Sequence, residues 1–223
     1  EKAFDLFAYQ YQYNPVYKLW CHQLNQSPQT VKEIHEIPFL PVSFFKTHRV
    51  AASVFQNEFV LESSGTTQTN TSHHYVKDID IYRESFITCF EHFYGPVKDL
   101  CILGLLPSYL EREHSSLVFM VEELIKLSSH LNSGFYLYEQ EKLHQTLLLL
   151  EQQKQNVLLI GVTFALLDFA EKFPMPLQHT TIMETGGMKG RRKELLRQEV
   201  HEILCRQFQI KAVHSEYGMT ELL

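Results

Sequence analysis

Short uninterrupted apolar runs alternate along the chain with longer segments in which apolar residues return every three or four positions. Runs of the first kind are typical of buried strands, and the second spacing is typical of amphipathic helices. Strands are predicted in this way at 58–61, 100–105, 135–138, 157–161, 180–184 and 210–213. Helices are predicted at 82–94, 117–131, 141–152, 164–172 and 191–208. This alternation predicts an α/β fold, a mainly parallel sheet flanked by helices.

The first part of the chain is more aromatic. Two helical segments are predicted around a break at Asn14-Pro15, since proline disfavours helix at the residue before it. Pro38 and Pro41 predict an extended segment at 37–45. The residues expected to face the core of the helical part are Phe4, Leu6, Phe7, Tyr11, Tyr17 and Leu19.

Composition narrows the class of protein. The chain has 223 residues, 44% of them hydrophobic, and carries 20 Lys and Arg against 26 Asp and Glu, a formal charge of −6. A chain of this length and hydrophobic content can form one sizeable core but is too short for two large domains. An acidic balance argues against nucleic acid as a partner. No membrane span is expected, because the richest apolar stretch, 156–170, is interrupted by polar residues and predicts a buried strand followed by a helix.

The N-terminal residues and the cysteines predict the compartment. Glu1, Lys2 and Asp5 lie where a signal peptide would need an apolar core. The cysteines are widely spaced and contain no Cys-x-x-Cys pair, which favours free thiols in a reducing compartment. We therefore expect a cytoplasmic protein. The four cysteines are Cys21, Cys89, Cys101 and Cys205, of which the first three lie among apolar residues and are expected in the core.

A cluster of hydroxyl groups around a glycine follows the first predicted strand, at 63–67. Gly65 would allow the backbone to approach a ligand closely, and successive backbone N–H groups form an anion-binding concavity. No Gly-Lys-Ser/Thr follows, so the loop is not a Walker A motif. Taken alone, the cluster is equally compatible with an ordinary surface turn.

Two further loops follow later predicted strands. Gly186 and Gly187 would allow a flat ring to lie against the backbone near a helix N-terminus, although a tight strand-to-helix turn has the same composition. The segment 217–221, Tyr-Gly-Met-Thr-Glu, offers an aromatic face for a purine, a hydroxyl for a phosphate and a carboxylate for Mg²⁺. Loops at the carboxyl ends of parallel strands are where such sheets bind ligands.

The Ser-Ser-Gly-Thr-Thr and Tyr-Gly-Met-Thr-Glu strings together resemble the core motifs of the adenylate-forming superfamily, which includes acyl-CoA synthetases and luciferases. The segments 6–17 and 37–46, and Thr-Gly-Gly-Met-Lys-Gly at 185–190, are more narrowly similar to the LuxE-type acyl-protein synthetases. The resemblance covers essentially the whole chain. It implies that residues 1–223 are the N-terminal, ATP-binding region of an adenylate-forming enzyme whose C-terminal part is absent.

The resemblance also implies roles for the residues of the three loops. The β- and γ-phosphates of ATP would be surrounded by Ser63, Ser64, Gly65, Thr66 and Thr67. The adenine would lie against Gly186, Gly187 and the motif formed by Tyr217, Gly218 and Met219, with the Tyr217 ring stacked on it. Thr220 would contact the α-phosphate, and Glu221 would be the ligand of Mg²⁺. Thr220 and Glu221 are thus the implied catalytic residues.

The implied reaction is the attack of a carboxylate oxygen on the α-phosphorus of ATP, which releases pyrophosphate and forms an acyl-adenylate. Catalysis of such a step is mainly positioning and charge neutralisation. The LuxE likeness suggests a fatty acid as substrate, a protein thiol as acceptor, and an acyl-accepting or reductase protein as partner. Two alternatives remain open: a coenzyme A ligase resembling phenylacetate-CoA ligase, and a nucleotide-binding relative without turnover.

Two features depart from the family pattern. Gln68 follows Thr67 where the superfamily usually has glycine, and His73-His74 occupy a region where it carries lysine. Neutral histidine binds phosphate more weakly than lysine, so we expect slow or pH-sensitive turnover unless these histidines are simply solvated loop residues. The segment that carries the ribose-binding acid and the acyl-accepting cysteine of the family does not follow Leu223, so a fragment is expected.

Three other segments have both a functional and a structural interpretation. Residues 161–165 could form a wall of the acyl pocket or pack in the core. The Arg-Arg-Lys run at 191–193 could meet pyrophosphate or form a solvated face. The segment 201–205 resembles a zinc-protease helix, but Cys205 stands in place of the second histidine, so zinc is not expected.

Overall fold

The computed structural model of the protein describes residues 1–56, 59–63, 71–107, 114–186 and 195–221. The chain divides into two units. The first unit contains Glu1–Tyr82, His114–Ser116 and Met219–Leu223, and the second contains Arg83–Glu113 and Leu117–Gly218. Each unit has its own architecture, helical with a hairpin in the first and a parallel sheet in the second.

The first unit begins with two helices, α1 (Lys2–Tyr13) and α2 (Pro15–Gln23). Asn14 separates them and caps α2, since its side-chain oxygen accepts a hydrogen bond from the Tyr17 backbone N–H at 3.1 Å. Pro15 occupies the first helical position, where its missing N–H has no cost. The predicted break at Asn14-Pro15 is therefore confirmed.

A small core joins these helices to the segment that follows, and it consists of Phe7, Tyr17, Cys21 and Val31. Leu6 and Leu19, which were predicted to face the core, are exposed. Neighbouring residues on a helix point about 100° apart, so a narrow contact stripe that contains Phe7 cannot also bury Leu6. The predicted extended segment is also wrong in its second half, because a 3₁₀ helix at Val42–Lys46 begins directly after Pro41.

An antiparallel hairpin completes the first unit. Its strands are β1 (Phe59–Glu62) and β2 (His73–Val76). Glu62, the last residue of β1, pairs with His73, the first residue of β2. The sequence predicted β1 but not β2. The two histidines expected in a loop therefore lie in a strand, where His73 Nε2 is 3.5 Å from Glu62 Oε1.

The second unit contains a five-stranded sheet in which every strand pairing is parallel. The strands are β3 (Cys101–Leu105), β4 (Gly134–Phe135), β5 (Val157–Gly161), β6 (Thr180–Glu184) and β7 (His214–Ser215). Their order across the sheet is β4-β3-β5-β6-β7. The predicted α/β fold with a parallel sheet flanked by helices is confirmed.

Five helices accompany the sheet strands along the chain: α3 (Ile79–Tyr94), α4 (Ser116–Ser128), α5 (Gln140–Gln152), α6 (Thr163–Lys172) and α7 (Arg197–Phe208). Every residue of β3 and β5 is buried, as expected for central strands covered on both faces. The predicted helix at 191–208 begins at Arg197 in the structure, and residues 191–194 lie outside the described residues.

The last strand was predicted at 210–213, and this prediction is wrong. The chain leaves α7 through Gln209 in a left-handed conformation and reaches the sheet only at His214, which pairs with Met183 of β6. Cys89 was predicted in the core and is exposed, whereas Cys21 and Cys101 are buried, and all four cysteines are free thiols. Within the described residues, no helix has both the length and the apolar character required to cross a membrane.

Candidate functional site

The residues that the sequence predicted to bind the nucleotide are distributed over both units. Ser64, Gly65, Thr66, Thr67 and Gly187 lie outside the described residues, as does the Arg-Arg-Lys run at 191–193. The described members of the first unit are Ser63, Met219, Thr220 and Glu221, and those of the second unit are Gly186, Tyr217 and Gly218.

The hairpin of the first unit holds the two ends of the Ser-Gly-Thr loop together. The Ser63 backbone N–H donates to the Ser72 carbonyl oxygen at 3.1 Å, and the Ser72 N–H donates to Ser63 Oγ at 3.0 Å. Ser72 is buried. Ser63 therefore anchors the start of the loop, and its hydroxyl oxygen is already engaged with the backbone.

Thr220 lies against the same hairpin. His74 Nδ1 is 3.0 Å from the Thr220 carbonyl oxygen, and Thr220 Oγ1 is 3.5 Å from Ser116 Oγ. Because a carbonyl oxygen only accepts, Nδ1 must carry the proton. The hairpin and Thr220, which lie 146 positions apart at this contact, are thus joined within the first unit.

His74 is mostly shielded from solvent, and burial lowers its pKa, although the nearby backbone of Thr220 and Glu221 opposes the shift. The ring is therefore neutral at pH 7. A neutral ring that donates to the Thr220 carbonyl does not replace the cationic lysine of the superfamily.

The first unit also contains a cavity of about 570 Å³. Its walls come from α1, α2, the segment 34–40 and the segment 45–55. His74, Tyr75 and the half-buried Glu221, the residue that follows Thr220, also line the cavity. The volume is within the range of about 300–1,000 Å³ found for small-molecule sites.

In the second unit, Glu184 is the centre of a buried polar cluster at the carboxyl ends of three adjacent strands. Its carboxylate, only 3% exposed, accepts hydrogen bonds from Ser215 Oγ at 2.6 Å, the Gly186 N–H at 2.7 Å and Thr163 Oγ1 at 3.0 Å. Ser215 is the last residue of β7, and Gly186 and Thr163 follow β6 and β5. Sequence reasoning did not single out Glu184, although a carboxylate at the end of a buried strand was an available signal.

Two basic groups on α7 face the same carboxylate, Arg197 Nε at 3.5 Å and His201 Nε2 at 3.6 Å from Glu184 Oε1. Burial alone would raise the pKa of Glu184, but the hydrogen bonds and the Arg197 charge together lower it. Burial, with a smaller contribution from Glu184, raises the pKa of the neighbouring Glu216. The Glu184 carboxylate is thus ionised and held in fixed contacts at the carboxyl end of the sheet.

Gly186 and Tyr217 are the described residues of the adenine motif that differ most from their surroundings. Gly186 has a φ of +74°, a backbone conformation that favours glycine. The Tyr217 side chain is 80% exposed. His214 Nδ1 lies 2.7 Å from the Tyr94 hydroxyl, and the Ser215 hydroxyl donates to Glu184.

Of the two interpretations of the segment 161–165, packing in the core agrees better with the structure than forming the wall of a pocket. Phe164 and Leu166 are buried, and a methyl group added to Gly161 would lie 2.8 Å from Leu105 Cβ.

Comparison with known proteins does not identify a family. The chain matches no family model, no curated protein and no solved structure. Its function is therefore inferred from its residues and their geometry. Among the described residues there is no group of three or more His, Cys, Asp and Glu side chains that could hold a metal ion.

Proposed function

We propose that the protein binds ATP with Mg²⁺ and activates a carboxylic acid as an acyl-adenylate for transfer to a protein thiol. The observation that carries the proposal is the hydrogen bond from His74 to the Thr220 carbonyl oxygen. It attaches the Tyr-Gly-Met-Thr-Glu segment to the hairpin that carries the Ser-Gly-Thr loop. The contact supports a shared role for the hairpin and this segment, whose sequences resemble motifs of one superfamily.

In the first unit, the proposed roles concern the phosphates. Ser63 begins the loop whose backbone amides would surround the β- and γ-phosphates. The Thr220 hydroxyl, which lies 3.5 Å from the Ser116 hydroxyl, would contact the α-phosphate. Ser63 is held by hydrogen bonds to the Ser72 backbone, and Thr220 by the His74 side chain, before substrate arrives. Such preorganisation is what an electrostatic mechanism requires.

In the second unit, the proposed roles concern the nucleobase. The exposed Tyr217 ring provides a face for stacking on adenine. Gly186 bears no side chain that would obstruct a flat ring, and a Cβ at this position would have no heavy atom within 4 Å. The Glu184 cluster fixes both segments, because it binds the Gly186 N–H and Ser215, two residues before Tyr217.

The residues present fit Mg²⁺ bound together with ATP. Mg²⁺ commonly takes one or two carboxylates and completes its octahedron with waters and substrate phosphates, so Glu221 alone is a sufficient protein ligand. The cation would neutralise phosphate charge. The chain's own contribution is to hold the carboxylate of Glu221 beside Thr220 and to orient the acid and the phosphates for in-line attack.

A second candidate, nucleotide binding without turnover, is favoured by one observation. The partly buried, neutral His74 cannot supply the positive charge that lysine provides in the superfamily. Release of pyrophosphate that depends on both ATP and a carboxylic acid would exclude this candidate.

The first test is the affinity for ATP with Mg²⁺, measured by calorimetry on the wild type, Tyr217→Ala, Tyr217→Phe and Tyr138→Ala. Tyr138 is the matched control, because it belongs to the same unit and is 77% exposed. Loss of base stacking costs about 1–3 kcal/mol, so Tyr217→Ala should bind about 5- to 150-fold more weakly. Tyr217→Phe and Tyr138→Ala should bind like the wild type. No binding by the wild type, or equal binding by Tyr217→Ala and Tyr138→Ala, would contradict the proposal.

A further inference from the structure

The cavity of the first unit is large, and the roles proposed for ATP do not use its interior. It lies between the helices α1 and α2 on one side and the segments 34–40 and 45–55 on the other. The segment 161–165, which the sequence suggested as a wall of the acid site, is closely packed. The hydrocarbon part of the acid therefore needs another location.

Most groups that line the cavity are apolar, and the polar groups contributed by its helices already have protein partners. Asn14 Nδ2 donates to Gln10 Oε1 at 3.1 Å, and Asn14 Oδ1 accepts from the Tyr17 N–H. The Tyr17 hydroxyl donates to the Pro38 carbonyl oxygen at 2.7 Å. A ligand in this part of the cavity gains mainly from apolar contact, because these polar groups already have hydrogen-bond partners.

The cavity is lined by both polar and apolar groups. Among the polar groups are His74, Tyr75 and Glu221, and His74 contacts the carbonyl oxygen of Thr220, the residue proposed to contact the α-phosphate. Phe39, Leu6 and Ile34 line the cavity elsewhere and are exposed, so apolar surface continues from the cavity to solvent. An amphiphile would satisfy this arrangement, with its reacting head beside Glu221 and its chain between α1 and the segment 50–55.

We propose that this cavity binds the hydrocarbon chain of the acid and that the small side chains of its walls set the longest chain accepted. The assignment of the head group rests on the proposed function, whereas the binding of a chain does not. Ala3 of α1, Ala51 and Ala52 are the small lining residues. A larger side chain at any of them would occupy the space of several methylene groups.

The test uses primary alcohols from butan-1-ol to dodecan-1-ol without nucleotide, so that neither a charged head nor adenylation contributes. Binding is measured by calorimetry below the solubility limit of each alcohol. Affinity should rise about fourfold for each methylene group while the chain remains inside the cavity, and then level off. Affinity that does not depend on chain length would overturn the proposal.

The variants are Ala51→Trp and Ala3→Trp, which fill the cavity from opposite walls, and Ala8→Trp as control. Ala8 lies on the same helix as Ala3, is exposed and does not line the cavity. Ala51→Trp and Ala3→Trp should lower the affinity for dodecan-1-ol at least tenfold and level off at a shorter alcohol. Ala8→Trp should match the wild type within twofold. A folded Ala51→Trp or Ala3→Trp that binds dodecan-1-ol like the wild type would overturn the proposal.

Titration with ATP and Mg²⁺ on the same samples separates this inference from the proposed function. If the protein binds the alcohols but not ATP, the cavity site is supported and the adenylation proposal is contradicted. ATP binding without chain-length-dependent alcohol binding would remove the cavity site alone. Circular dichroism and melting temperature identify any tryptophan variant that fails to fold, and the other variant then decides.

Discussion

Glu184 is a buried carboxylate that connects residues from three loops. Oε1 accepts from Ser215, and Oε2 accepts from Thr163 and from the Gly186 N–H. Charge-assisted hydrogen bonds of this kind are stronger than neutral ones, and they compensate for the removal of the charge from water. At the residue scale, this side chain organises the edge of the sheet from which Tyr217 emerges.

We expect Glu184→Gln to lower the free energy of unfolding by about 2 kcal/mol, because the amide lacks the charge and places an N–H donor where two acceptor oxygens are needed. Urea denaturation followed by circular dichroism measures the change. Glu202→Gln, at an exposed position of α7, should change stability by less than about 0.5 kcal/mol. Equal urea midpoints for the two variants would show that the Glu184 contacts contribute little.

At the scale of elements, the junction of β5 with α6 depends on the absence of a side chain at Gly161. A Cβ there would lie 2.8 Å from Leu105 Cβ and 2.9 Å from Leu166 Cγ. The Gly161 carbonyl oxygen also accepts from the Thr185 N–H at 3.0 Å. This close approach allows α6 to begin at Thr163, immediately after the strand, and so directs the Thr163 hydroxyl to Glu184.

Gly161→Ala should therefore destabilise the protein by about 1–3 kcal/mol through overpacking. Gly134→Ala is the matched control in the same sheet, since the nearest atom to its added methyl group would be Tyr136 Cε2 at an ordinary 3.8 Å. Thermal unfolding of the two variants measures the difference. A melting temperature of Gly161→Ala at or above that of Gly134→Ala would show that the junction can accommodate the methyl group.

For the molecule as a whole, Glu184, Glu123 and His74 tie stability to pH in one direction, whereas Glu216, whose pKa is raised by burial, acts in the opposite direction. The pKa of Glu184 is lowered as described above. Burial opposes but does not cancel the effect of Lys126 and Arg83, which lower the pKa of Glu123. The pKa of His74 is lowered by burial. For these three groups the unfolded state binds protons more readily than the folded state, so acidification favours unfolding.

The free energy of unfolding should consequently fall as the pH drops below about 6.5, the ordinary histidine value, and again below about 4.3, the ordinary carboxyl value. For His74 and for the two carboxyl groups alike, the contribution to stability is fully present above the pKa of the unfolded state. It is lost as the pH falls through the lower pKa of the folded state. Urea midpoints from pH 8 to pH 3 measure the profile. Glu184→Gln should reduce the lower slope and leave the upper one, and an unchanged lower slope would contradict the role of Glu184.

Local sequence patterns predicted most of the sheet. The strands at Val157–Gly161 and Thr180–Glu184 were predicted to the residue, the first from an apolar run that ends in glycine and the second from β-branched and apolar residues that end in Glu184. The pattern failed at β2 and β7. β7 has only two residues, both exposed, and it is a strand because it pairs with β6. Such a strand has no apolar period that a sequence could display.

The candidate site was predictable only in part. Its loops were found from residue types, and their proposed roles in nucleotide binding remain predictions. The contact of His74 with Thr220, the partners of Glu184 and the cavity between α1 and the segment 50–55 were not predicted. Each brings together side chains that are distant along the chain, and a single sequence contains no record of such distances.

The sequence by itself determined the α/β alternation, the parallel strands and the break at Asn14-Pro15, because these follow from local periodicity and backbone restriction. Only the tertiary structure decided which polar groups became partners, which apolar residues became walls, and which were left exposed. Those outcomes depend on the packing of elements that are remote in sequence. At this level a single group, such as the shared Glu184 carboxylate or the absent side chain of Gly161, determines how the elements pack.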